Sequence, residues 1–154
     1  MQSVGMNTGM PQKNINFGAA PHKVGITLAK SKDAFTKLIR REMEINPEQA
    51  RRSIESAKQQ ANRTINKGIK FSEDSLIIKG LTKMLNTGNA DGIFNPQAVT
   101  VSRPEALKTY FKFINQATSA IREGMKSSDN SLVKEGSDKM FEAGRVFGTL
   151  TKKT

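Results

Sequence analysis

Residues 102–125 read SRPEALKTYFKFINQATSAIREGM. Ser102 and Glu105 occupy the two positions of a capping box, in which a serine hydroxyl accepts from the N3 amide and the N3 glutamate reaches back. Behind them Leu107, Tyr110, Phe111, Ile114, Ala117, Ile121 and Met125 recur at three- and four-residue intervals, and Phe113 widens the stripe. That period belongs to an amphipathic helix. Because this is the most hydrophobic such stretch, it is expected at the centre of the fold, with burial centred on Leu107, Phe111, Ile114 and Ile121.

Upstream the same reasoning places three more helices. Phe35, Leu38, Ile39 and Met43 follow Ser31 as N-cap and Asp33 in the first turn, and Ile45 ends this helix near Asn46. Asn46-Pro47-Glu48-Gln49 starts the next: Asn caps, Pro takes the first helical position and Gln49 can complete a capping box. Ala50, Ile54, Ala57, Ala61 and Ile65 give it a narrow stripe of small residues, and Gly68 is expected to end it. Ser72-Glu73-Asp74 opens a further helix whose acidic pair suits the helix dipole, with Leu76, Ile77, Ile78, Leu81, Met84 and Leu85 inside. Gly88 reads as its C-cap, Asp91-Gly92 as a tight turn, and residues 88–101 as the longest internal break, with Ala98–Val101 extended.

Downstream, Ser127–Ser131 interrupts the chain before a last helix carrying Val133, Met140, Phe141, Phe147 and Leu150. Its Gly144 and Gly148 have G-x-x-x-G spacing, but the charges around them make a spanning segment implausible, and close helix packing is the expected use. No internal repeat is evident. The expected fold is all-α: a single-domain bundle of about five helices over residues 31–154, with an irregular basic arm at residues 1–30.

Several chemistries are set aside. The 154-residue chain has no cysteine, which removes disulfides, thiolate nucleophiles and Cys-containing zinc sites. Its one histidine, His22, lies in the arm, away from any rigid scaffold that general-base catalysis would require. Gly25–Ser31, GITLAKS, is one residue and one glycine short of a phosphate loop. Thr87–Asn95, TGNADGIFN, resembles half a calcium loop but puts Thr87 and Ala98 where the anionic anchors belong. No enzyme, cofactor or metal is therefore expected. The absence of a long apolar run and of a secretory leader pattern points to a cytoplasmic protein, or one within an assembled particle.

Charge carries the functional signal. There are 25 Lys and Arg against 14 Asp and Glu, a formal net charge of +11, and such an excess favours polyanionic partners. The surplus is localised: residues 46–70 hold six cations and two carboxylates, whereas residues 71–101 hold two cations and three carboxylates. At 100° per residue, Arg52, Gln59, Arg63, Lys67 and Lys70 fall opposite the apolar stripe, with Arg51 and Lys58 on one flank. No aromatic residue interleaves this face for base stacking. The expected function is a non-enzymatic basic helical module that holds an anionic macromolecule, either nucleic acid or an acidic protein, without sequence readout. Arg51, Arg52, Lys58, Arg63, Lys67 and Lys70 would make the contacts. The alternative is a structural subunit of a larger particle, assembling with itself or with other chains through the arm and the basic helix.

Overall fold

The computed structural model describes residues 34–95 and 102–153. They form five helices: α1 (Ala34–Ile45), α2 (Pro47–Lys70), α3 (Asp74–Phe94), α4 (Arg103–Ser127) and α5 (Asn130–Lys153). No strand occurs among the described residues. The arm at 1–30, the Ser31 cap and the extended piece at Ala98–Val101 lie outside them.

Both sequence-read caps form. Asn46 Oδ1 accepts from the Gln49 amide at 3.3 Å, and Ser102 Oγ accepts from the Glu105 amide at 3.4 Å. The Gln49 side chain does not close its box; its Oε1 accepts from Arg52 instead. Glu73 stands at the N-cap of α3 without a side-chain cap hydrogen bond, and Ser72 precedes it. Ser72 sits at φ 55°, in the left-handed region, between α2 and an α3 that starts at Asp74.

The centre of the molecule is the α3–α5 pair, not α4. α2 packs on α3, α4 packs on α5, and α1 lies across α2 and α3. One large core joins Ile65, Ile77, Leu81, Leu85, Ile114, Ile121 and Met140, and a smaller one holds Ile39, Ala50 and Ala90 under α1. Within α4 the buried arc runs through Ala106, Tyr110, Ile114, Ala117 and Ile121. Leu107 is only half-buried and Phe111 is 48% exposed, so the expected burial centre is rotated toward Ala106. With α5 as its main support, α4 cannot cover all seven members of its wide apolar stripe.

Three glycines expected at helix ends or turns lie inside helices. α2 continues past Gly68 to Lys70, and α3 continues through Gly88, Asp91 and Gly92 to Phe94. A Cβ on Gly88 would drive into the Phe141 carbonyl and crowd the Arg145 amide; one on Gly144 would drive into the Leu85 carbonyl and crowd the Asn89 amide. Here glycine costs helix propensity but allows two backbones to touch.

Those contacts expose a repeat that the sequence analysis did not find. Residues 46–94 and 102–150 align without a gap at an offset of 56, with 14 identities in 49 positions. All eight described glycines fall into four pairs: Gly68/Gly124, Gly80/Gly136, Gly88/Gly144 and Gly92/Gly148. The structure repeats with them. Ser72 and Ser128 are the two non-glycine residues at positive φ among the described residues, and the amides that follow, Glu73 and Asp129, donate to the carbonyls of Gly68 and Gly124. Leu85, Gly88 and Asn89 map onto Phe141, Gly144 and Arg145, so each half gives the other the same contacts it receives. Such reciprocity is what a two-fold axis generates. The molecule is two copies of one helical hairpin, α2–α3 and α4–α5, joined back to back, with α1 added to the first.

Candidate anion-binding surface

The repeat sets where the charged side chains point. Ala50, Ala57, Ala61, Ile65 and Gly68 turn into the bundle, which leaves Arg52, Arg63, Lys67 and Lys70 exposed on the opposite side of α2. Arg52 to Lys70 spans about 27 Å of helix at 1.5 Å per residue. Arg52 meets only the neutral Gln49, at 3.2 Å. Among the described residues no carboxylate forms an ion pair with Arg63 or Lys67, and Glu55, one turn from Arg52, does not pair with it. At the end of the row, Lys70 Nζ stands 5.5 Å from the ring centroid of Phe71, which is 55% exposed.

The other two candidates are placed differently. Arg51 pairs with Glu48 one turn earlier, both side chains being largely exposed, so its charge is locally offset. Lys58 is half-buried and leaves the outer face altogether. Its Nζ lies 4.2 Å over the Phe141 ring of α5, and its charge reaches Asp91 of α3. Asp91 Oδ2 is 2.7 Å from Arg145 Nε, an ion pair with side chains 16% and 20% exposed whose N–H is not aligned along the N–O line. Burial pushes the Asp91 carboxyl above its ordinary range, while Arg145 and then Lys58 hold it down. Lys58 thus belongs to an internal charge cluster that ties α2, α3 and α5.

Two further cations join the surface. Lys79 and Lys83, one turn apart, are exposed on α3. Lys83 lines a groove of about 450 Å³ with Arg52, Gln60, Phe35 and Leu38. In the second half a groove between α4 and α5 is lined by Ser119, Glu123, Glu135 and Lys139. Their counterparts at the 56-residue offset are Arg63, Lys67, Lys79 and Lys83, so four cations of the first half stand where the second has one cation, one serine and two carboxylates. Segment charge had hidden this, because residues 71–101 sum to near neutrality. Their carboxylates, however, sit in the first turn of α3 or just before it (Glu73, Asp74) or inside (Asp91), away from the lysine face.

No group of three or more His, Cys, Asp or Glu side chains that could hold a metal occurs among the described residues. Nor is any helix there long and apolar enough to cross a membrane. Comparison with protein-family models, curated proteins and solved structures found no match for this chain. Fold and surface together define its class, an all-α protein of two repeated hairpins with one strongly basic flank.

Proposed function

We propose that the protein is a non-enzymatic binding module that holds an anionic macromolecule against the outer face of α2 and the adjoining face of α3. The observation that supports this is the exposed row Arg52, Arg63, Lys67 and Lys70, which no carboxylate among the described residues pairs with, flanked by Lys79 and Lys83. A polyanion laid along such a row releases condensed counterions, so affinity comes from phosphate or carboxylate contacts and carries no sequence information. The test is a salt titration of binding to generic DNA and RNA. For the combined variant Arg52→Gln, Arg63→Gln, Lys67→Gln, the slope of log affinity against log salt should be shallower by about 2–3, at roughly 0.7–0.9 per lost phosphate contact. Thermal stability should hold, since all three side chains are exposed. An unchanged slope would refute the surface.

An assembly subunit is the second reading, favoured by the exposed Ile45, which closes α1, and Phe71, which follows α2. It predicts that the same variant changes oligomeric state rather than salt dependence.

A further inference from the structure

The repeat provides a second outer face. α4 occupies in its hairpin the place of α2, and its side away from the core carries Lys108, Phe111, Lys112 and Lys126, all exposed. Lys108 and Lys126 stand at the positions of Arg52 and Lys70, but Lys108 Nζ lies 3.6 Å from Glu105 Oε1, which offsets its charge locally. Between them the chemistry differs: Arg63 and Lys67 of the row become Ser119 and the exposed carboxylate Glu123. Ser56 becomes Lys112, and Glu55, the carboxylate on the outer side of α2, becomes Phe111.

Phe111 is 48% exposed; its ring meets Tyr110 edge-on, with centroids 5.0 Å apart. An aromatic ring between lysines is the combination that the α2 face lacks over its length. It is what single-stranded nucleic acid recognises: the ring offers a π-face to an unpaired base while the ammonium groups take the flanking phosphates. A duplex has no unstacked base to present to it.

We propose that the outer face of α4 is a second, separate site for single-stranded nucleic acid, with Phe111 as the stacking platform and Lys112 and Lys126 as phosphate contacts. This deepens the proposed function and rests on it for the class of partner, though not for the residues. α2 leans on α3 and α4 on α5, on either side of the pseudo-two-fold, so the two faces use different side chains throughout.

The test compares binding of a fluorescein-labelled oligothymidylate with binding of a hairpin duplex. Phe111→Ala should weaken the single strand about 5- to 150-fold, the loss expected for one stacked base. Its salt slope and duplex affinity should be unchanged, because no charge is removed. Phe111→Leu should bind as weakly as Phe111→Ala. Phe111→Trp should restore binding and, in a chain without tryptophan, report it by fluorescence quenching. Lys112→Gln with Lys126→Gln should shallow the single-strand slope by roughly 0.7 per lost contact. Wild-type affinity in Phe111→Ala overturns the proposal, and so does restoration by leucine, which would mark an apolar protein contact. If Phe111→Ala is silent while the α2 variant loses duplex binding, this inference falls and the proposed function stands. If Phe111→Ala loses the single strand while the α2 variant binds duplex normally, the α2 surface falls and the α4 site stands. Binding of neither nucleic acid by the wild type removes both.

Discussion

Gly88→Ala tests the back-to-back hairpins directly. In an ordinary helix interior this change stabilises, by about 1 kcal/mol of helix propensity. At Gly88 the new Cβ would meet the Phe141 carbonyl and the Arg145 amide, both backbone groups that cannot swing away as a flexible side chain would. The helices must therefore part, by on the order of 1 Å. A gap of that size forfeits a quarter to a half of each dispersion contact across the seam. If the seam holds what two buried leucines hold, about 100 contacts at ~0.1 kcal/mol each, the loss is roughly 2.5–5 kcal/mol. Setting the propensity gain against it leaves a net destabilisation of about 1.5–4 kcal/mol.

For a chain of this size that lowers the thermal midpoint by roughly 3–16 °C, at about 2–4 °C per kcal/mol. Helical circular dichroism followed against temperature, with urea denaturation as a second measurement, reads the change. Because Gly144 meets Leu85 and Asn89 as Gly88 meets Phe141 and Arg145, Gly144→Ala should lower the midpoint by a similar amount. A midpoint for Gly88→Ala at or above the wild type would refute the touching seam. Losses that differ widely between the two variants would refute the two-fold relation.

Acid should act on two carboxylates in opposite senses. Burial raises the folded-state value of Asp91 above 3.8, so the native state binds this proton more readily than the unfolded chain does. Its contribution to stability therefore falls as pH rises from 3.8 through the raised value. Relative to Asp91→Asn, the wild type should gain stability on acidification through that window, and denaturant titrations at neutral and acidic pH showing the reverse would contradict the assignment. Asp129 is the usual case: hydrogen bonds from the Ser131 hydroxyl at 2.6 Å, the Ser131 amide at 3.0 Å and the Leu132 amide hold its carboxyl below 3.8. Asp129→Ala should lower the thermal midpoint at neutral pH, and the difference should vanish in strong acid once pH falls through the depressed value. A difference that persists there would show that the carboxylate cap is not its source.

The features legible in the sequence were those decided within one turn of chain. Asn46 and Ser102 cap because their acceptors reach amides three residues on, and nothing distant can change that. The stripes of α2 and α3 followed for the same reason. Glycine is different, since its meaning depends on what lies opposite. Gly68, Gly88 and Gly92 read as caps and turns until Ile77, Phe141 and Arg145 were found against them. Phe111 failed for a related reason. A stripe wider than one neighbouring helix can cover must leave an edge outside, and spacing alone does not say which edge.

The repeat escaped because the positions that preserve it are mostly inward and small. Of the 14 identical pairs, eight are buried in both halves: Ala50/Ala106, Ala61/Ala117, Ile65/Ile121, Met84/Met140 and the four glycine pairs. These sit where one backbone meets another or where side chains interlock, and a substitution there is felt at once. Outward positions carry no such constraint, and there the halves have parted. Arg63, Lys67 and Lys79 have Ser119, Glu123 and Glu135 as counterparts, so the α4–α5 groove carries two carboxylates beside Lys139 where the first half has cations at all four equivalent positions. Two hairpins that are equivalent in packing are therefore unlike in charge. A rigid polyanion is expected to settle lengthwise on the α2–α3 flank, where Lys79 and Lys83 stand beside the outer row of α2. On the other flank Lys112 and Lys126 lie along the outer side of α4 with Phe111, and the groove carboxylates Glu123 and Glu135 would repel a second backbone. If both proposals hold, it is this asymmetry on a symmetric frame that would give the two faces different ligands.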